Sequence, residues 1–181
     1  MKKIAIILAD GVEETEFIAV GDVLRRLSLE VVVAGLNGLE VKGGHGFGLK
    51  ADRRLAECPP EEFDAVFLPG GMGGALAMYE SAAALEFVRA MDRAGKIVAA
   101  ICAAPMVLGK AGLLDGKRFT MYPGLEKYLP AGCRPGGALA VRDGRIVTGK
   151  GPGAVFAFAK ELAAALGADA SGVYAGMFVT A

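Results

Sequence analysis

The segment from Lys96 to Pro105 constrains the fold of this chain more than any other part of its sequence. Its first part, Ile97–Ile101, is a short continuous apolar run of the kind that forms a strand buried on both faces of a parallel sheet. Cys102 follows at once, and Pro105 then suits the first turn of a helix. A reactive side chain between a buried strand and a helix has the geometry of a nucleophile elbow. The segment therefore predicts a parallel sheet with Cys102 at the end of one strand.

Similar apolar runs alternate with helix-like segments along the rest of the chain. Residues 4–8, 31–33 and 64–68 have strand character, and apolar residues recur at helical spacing over 17–27, 81–95 and 155–166. This alternation predicts a doubly wound, mostly parallel sheet with helices on both faces. Ligands bind such sheets beyond the carboxyl ends of the strands. Weaker patterns predict short strands at 40–42, 47–50 and 118–121, and a hairpin that turns at Asp143-Gly144.

Composition limits the classes of function. A length of 181 residues suits one domain over 1–181, and 20 basic residues balance 20 acidic ones without a basic patch, so neither nucleic acid nor a membrane is an expected partner. The longest apolar stretch, 97–109, is too short for a membrane span. Three cysteines far apart in the sequence predict neither a disulfide framework nor a metal site, and they fit a cytoplasmic location.

Two strand ends provide a candidate nucleophile and candidate hydrogen-bond donors. The helix that starts after Cys102 should lower the pKa of its thiol and favour thiolate, although a buried inert cysteine is the alternative. Gly70 and Gly71 follow the strand at 64–68. Their N–H groups, with that of Ala103, are able to form an oxyanion hole, although glycines also serve simply to turn the chain.

A third strand end supplies acidic groups. Glu13, Glu14 and Glu16 open the first helix, and Glu13 and Glu14 are expected to be solvated there. Glu16 comes directly before the apolar face of the helix and is the better candidate for an acid or base whose pKa burial raises. His45, the only histidine, lies in a glycine-rich stretch, so no conventional Cys-His-acid triad is evident.

Four segments together resemble one known family. They are residues 8–16, 68–71, 99–105 and 151–153. They are similar to the ThiJ/PfpI superfamily, and within it to the Parkinsonism-associated deglycase (DJ-one-like) branch, in the same order along nearly the whole chain. The resemblance implies a flavodoxin-like α/β fold, like that of class I glutamine amidotransferases, and a homodimer.

The resemblance also implies roles for individual residues. Cys102 corresponds to the reactive cysteine, Glu16 to a protonated glutamate hydrogen-bonded to its sulfur, and Gly71 and Ala103 to oxyanion donors beside Gly70. Candidate pocket or dimer contacts are Arg26, His45 and Pro152. Tyr122 stands before Pro123 where some relatives have a histidine.

The implied activity needs no cofactor and no metal. It is glutathione-independent glyoxalase or deglycase chemistry on small 2-oxoaldehydes or on glycated proteins, with a protective role in oxidative stress. One alternative is a non-catalytic redox sensor or chaperone that works through oxidation of Cys102. Another is a PfpI-type cysteine peptidase, which Ala103 argues against because that branch has a histidine directly after its nucleophile.

Overall fold

The computed structural model describes residues 1–180, which form a central sheet covered by helices. The strands are β1 (Lys3–Leu8), β2 (Glu30–Gly35), β3 (Glu40–Lys42), β4 (Gly48–Lys50), β5 (Arg53–Arg54), β6 (Ala65–Leu68), β7 (Ile97–Ile101), β8 (Ala140–Asp143) and β9 (Ile146–Gly149). The α-helices are α1 (Glu14–Arg26), α2 (Met72–Glu80), α3 (Ala82–Arg93), α4 (Pro105–Ala111), α5 (Val155–Ala165) and α6 (Ser171–Gly176).

Seven strands form the main sheet in the order β5-β2-β1-β6-β7-β9-β8, and only β8 runs antiparallel to its neighbour. Strands β3 and β4 make a separate hairpin. The predicted fold class, a flavodoxin-like, doubly wound and mostly parallel sheet, is therefore confirmed. Because β1, β6, β7 and β9 are neighbours, the loops that follow them meet at one edge of the sheet.

Alternate residues of the central strands face opposite layers of helices, as the period of a strand requires. In β1, Ile4 and Ile6 pack in the layer that contains α1 and α5, whereas Ala5 and Ile7 pack in the layer that contains α2, α3 and α4. Burial on both faces explains why these strands are continuous apolar runs.

Two expectations about local structure were wrong or incomplete. Residues 118–121 form no strand and contribute only an isolated bridge between Thr120 and Gly136, because Thr120 bonds side chains and irregular backbone instead: its N–H donates to Thr148 Oγ1 at 3.0 Å. Helix α2 was not predicted. It begins directly after Gly71 and contains Gly73 and Gly74, residues that weaken a helix in isolation.

Within residues 1–180, no helix is both long and apolar enough to cross a bilayer.

Candidate active site

Cys102 occupies a strained elbow between β7 and α4. Its φ of 63° lies in the left-handed region, which costs a non-glycine residue roughly 1–3 kcal/mol. The surrounding backbone holds it there, since its N–H donates to the Gly149 carbonyl at 2.9 Å and its carbonyl accepts from the Tyr122 N–H at 2.8 Å. Ala100 and Ala104, two residues to either side, are fully buried, and their small side chains suit a tight elbow.

Glu16 is the buried carboxyl group of this site. Helix α1 turns it toward the sheet on the same side as Phe17 and Val20, and none of its surface is exposed. Its Oε2 accepts a hydrogen bond of 2.7 Å from the Gly70 N–H, whereas Oε1 has no aligned partner among the described residues. Burial raises the pKa of Glu16 to about 7, although bonds from Gly70 and Cys102 oppose the rise.

The pKa of the Cys102 thiol is raised, whereas the sequence predicted that the following helix would lower it. Burial and the negative charge of Glu16 raise the pKa of Cys102 to about 12, and hydrogen bonds from the Gly71 and Ala103 N–H groups offset only part of this rise. Helix α4 has only seven residues, so its dipole does not outweigh a neighbouring carboxylate. Cys102 is therefore a protonated thiol coupled to Glu16, and the expected preformed thiolate was wrong.

The two glycines after β6 allow the chain to pass very close to both Cys102 and the β1–α1 loop. A Cβ atom on Gly70 would lie 2.6 Å from the Cβ of Cys102. Gly71 has a φ of 80°, and a Cβ there would collide with the Gly11 carbonyl oxygen and the Glu13 nitrogen. Both positions therefore require glycine, and this close approach brings the Gly71 N–H to the sulfur.

Replacing Gly71 by Ala should destabilise the fold by roughly 2–5 kcal/mol, because a strained positive φ and backbone overlap act together. Chemical denaturation of the two proteins measures the difference. Gly172→Ala is the matched control, since a Cβ at Gly172 meets nothing within 4 Å. A Gly71→Ala protein as stable as the control would contradict the close approach described above.

His45 lies at the tip of the β3–β4 hairpin and bonds Glu14 rather than Cys102. Its Nδ1 is 2.8 Å from Glu14 Oε2 and 3.5 Å from Glu13 Oε2, and its backbone N–H donates to Glu14 Oε1 at 2.8 Å. The two carboxylates raise the pKa of His45. Burial opposes ionisation of Glu14, but the bonds from His45 and the Phe47 N–H lower its pKa to about 2.

The sequence predicted a solvated side chain for Glu14, and this prediction was wrong. The side chain is only 8% exposed, because the hairpin tip folds over it. Within residues 1–180, Glu13, Glu14 and His45 form the only group of three or more His, Cys, Asp or Glu side chains whose possible metal-ligand atoms lie close together. The bonds between His45 and the two carboxylates fasten the hairpin tip to the start of α1.

Two other candidates lie in different places. Arg26 ends α1, ten residues beyond Glu16 and so about 15 Å further along the helix, and its Nε donates to Asp22 at 2.8 Å. Within this chain it does not reach Cys102. Pro152 begins a short 3₁₀ helix after β9 and lines a cavity with Tyr122, close to the backbone of Cys102.

Comparisons with known proteins agree with this architecture. The chain is 43% identical to protein dj-1beta of Drosophila melanogaster over 90% of its length and 88% of that relative. It is 35% identical to a deglycase of Pyrococcus abyssi over 88% of its length and 96% of that protein.

Solved structures show the same fold. The crystal structure of Drosophila melanogaster DJ-1beta has a TM-score of 0.94 at 40% identity over 99% of both chains. Oxidised Toxoplasma gondii DJ-1 has a TM-score of 0.93 at 33% identity over the full length of both chains. The profile of the DJ-1/PfpI family matches residues 2–165. These matches confirm the resemblance found in the sequence: the chain belongs to the DJ-1/PfpI family.

Proposed function

We propose that this chain is a cysteine-dependent glyoxalase or deglycase that acts on 2-oxoaldehydes, or on their early adducts with proteins, without a cofactor or glutathione. The observation that carries the proposal is the buried pair of Glu16 and Cys102, whose sulfur also accepts hydrogen bonds from two backbone N–H groups. The deglycase names of relatives such as that of Pyrococcus abyssi support the same chemistry.

The paired pKa values support an order for the first proton transfer. With the pKa of Glu16 near 7 and that of Cys102 near 12, the carboxyl group is the first of the two to lose its proton. A thiol beside a carboxylate is therefore the reactive form. As the sulfur attacks the aldehyde carbon, Glu16 accepts the thiol proton, so general-base catalysis replaces a preformed thiolate.

The remaining steps need only Glu16 and water. The oxygen of the attacked aldehyde gains negative charge, which the Gly71 and Ala103 N–H groups stabilise, and Glu16 then returns its proton to give a hemithioacetal. Glu16 next removes the hydrogen from the sulfur-bearing carbon and delivers a proton to the adjacent carbon, which leaves a thioester on Cys102. Water hydrolyses the thioester to a 2-hydroxy acid and restores the thiol. The first carbon is oxidised and the second reduced, so no external oxidant is required.

Lactate formation tests the proposal directly. Wild-type protein incubated with methylglyoxal, without glutathione, should produce lactate in amounts that exceed the enzyme many times over. In D₂O the lactate should carry deuterium on C2, because Glu16 exchanges its proton with solvent. Absence of Cys102-dependent lactate, together with no release of methylglyoxal adducts from a glycated peptide, would refute the proposed function.

The reactivity of Cys102 should fall as the pH decreases through about 7, because protonation of Glu16 removes the base while the thiol is still protonated. The rate of Cys102 alkylation by iodoacetamide, followed by intact mass between pH 5 and pH 9 (about two units either side of the Glu16 pKa, one unit being tenfold), measures this dependence. In Glu16→Gln the inflection near neutral pH should disappear. An unchanged inflection in that variant would show that Glu16 is not the group responsible.

Redox sensing is the second candidate function, and the same hydrogen bonds favour it. The N–H groups of Gly71 and Ala103 that reach the sulfur are also suited to the oxygens of a sulfinate, which Glu16 in its protonated form would bond as well. Two equivalents of peroxide supply the two oxygens. Addition of two oxygen atoms at Cys102 under mild peroxide, without glyoxalase or deglycase turnover, would favour the sensor over the enzyme.

A peptidase function gains no support from the site. The single histidine bonds Glu14 and not Cys102, so no imidazole is placed to activate the thiol or protonate a leaving amine.

A homodimer is part of the proposal. A groove of about 460 Å³ between α1 and β4 presents Ile18, Leu49 and Arg25, and a second copy would cover its apolar part.

A further inference from the structure

A second cavity lies beside the backbone of Cys102 and has no role in the steps above. Its volume is about 560 Å³, and its walls include Tyr122, Pro123, Leu139, Lys150, Gly151 and Pro152. Two segments of the wall lie beside the backbone of Cys102. The Tyr122 N–H donates to the Cys102 carbonyl at 2.8 Å. The Cys102 N–H donates to the carbonyl of Gly149, two residues before Gly151, at 2.9 Å. We call this cavity the Tyr122 pocket.

The walls of the Tyr122 pocket are mainly apolar. Half of the surface of Tyr122 and 56% of that of Leu139 are exposed, so both side chains are accessible to a ligand. The Tyr122 ring lies over Gly151, where a Cβ would be 3.4 Å from its Cδ2 atom, so the small residue leaves space for the ring. Lys150 stands at the rim with its Nζ bonded to the Gly137 carbonyl at 3.2 Å. An apolar group joined to a polar reacting centre would match this surface.

We propose that the Tyr122 pocket receives the organic group R of a substrate R–CO–CHO attached to Cys102, and that Tyr122 makes the protein prefer aryl groups to methyl. The proposal rests on the glyoxalase chemistry proposed above. A phenyl group is large enough to stack on the Tyr122 ring and to remove apolar surface of Leu139 from water, whereas a methyl group buries much less apolar surface. Tyr122 is thus a specificity-determining residue, while Cys102 and Glu16 carry the reaction.

The ratio of kcat/KM for phenylglyoxal to that for methylglyoxal tests this assignment. Tyr122→Ala should lower the ratio roughly tenfold, mostly through KM for phenylglyoxal, because stacking and burial of the aryl group are lost. Tyr122→Phe should keep the wild-type ratio, since the ring and not the hydroxyl group makes the contact. Phe47→Ala, which removes an exposed aromatic ring from the hairpin tip, outside the Tyr122 pocket, should also keep it.

A covalent probe keeps the proposal testable without turnover. The Cys102 sulfur displaces bromide from the CH₂ group of 2-bromoacetophenone or of bromoacetone, and Glu16 accepts the thiol proton. The two probes carry the same phenyl and methyl groups as the aldehydes. Intact mass should show that Tyr122→Ala lowers the ratio of the two alkylation rates roughly tenfold, while Tyr122→Phe and Phe47→Ala leave it unchanged.

The outcomes separate the two proposals. If the wild type turns over neither aldehyde and releases no adduct from a glycated peptide, the proposed function fails, and the alkylation ratio still decides whether the Tyr122 pocket selects the R group. If Tyr122→Ala keeps the wild-type alkylation ratio, the pocket does not select the R group and the inference is wrong, whatever the activity with methylglyoxal.

Discussion

Cys102→Ala should lose Cys102-dependent conversion of methylglyoxal to lactate, with a fall in rate of about 10³-fold or more. The reason is that every bond change of the proposed reaction takes place on an intermediate attached to this sulfur. The N–H groups of Gly71 and Ala103 remain, but without a covalent bond they have no oxyanion to stabilise. Lactate production by purified protein, followed by NMR, measures the loss.

Cys58→Ala and Cys133→Ala are the controls for this variant. Both side chains are buried cysteines outside the site, with the Cys58 sulfur donating to the Arg54 carbonyl, so their removal changes thiol content and packing but not the elbow. Both proteins should keep their turnover as long as circular dichroism shows them folded. Full activity in folded Cys102→Ala would mean that the reaction does not pass through this cysteine.

Glu16→Gln should lower kcat/KM for methylglyoxal by about 10²–10⁴-fold, the usual contribution of a positioned acid or base. The amide keeps the shape of the side chain and its oxygen still accepts from the Gly70 N–H, but it cannot carry a proton between sulfur and carbon. The fold should not lose stability, because the substitution removes a buried charge that has one aligned hydrogen bond. Steady-state kinetics and a denaturation curve separate the two effects.

Glu13→Gln provides a matched control from the same end of α1. Glu13 accepts from the Thr15 N–H and contributes only its negative charge to the site, where it helps to raise the pKa of Glu16. Its removal should therefore move the pH dependence slightly downward and leave turnover nearly intact. Equal losses in the two variants would mean that general negative charge near α1, and not the proton on Glu16, supports the reaction.

The sequence predicted the parts of the site that depend on local order along the chain. A buried strand must be apolar throughout, so the runs that became β1, β6 and β7 could be recognised, and each places its next residues at the same edge of the sheet. The position of Glu16 directly before the apolar face of α1 was enough to favour it over Glu13. These segments alone were enough to predict the fold class and to carry the family resemblance.

Apart from the contact of Glu16 with Cys102 that the resemblance implied, contacts between distant segments could not be predicted from the sequence. Helix α2 forms although Gly73 and Gly74 lie in it, because those glycines let it pack against the backbone of Gly11 and Val12. The burial of Glu14 depends in the same way on a hairpin that lies about thirty residues away, in a separate two-stranded sheet. Neither effect leaves a periodic pattern in the residues concerned.

The protonation state of Cys102 illustrates the same division. From the sequence alone, a cysteine before a helix indicates a thiolate, because the dipole of the helix is a local property. The family resemblance implied that Glu16 bonds the sulfur, but only the tertiary structure shows that both groups are buried, and this burial together with the charge of Glu16 raises the pKa of the thiol. The sequence by itself thus determined which side chains lie at the sheet edge. The fold decided how they share a proton, since desolvation and charge pairing depend on distances that local order does not set.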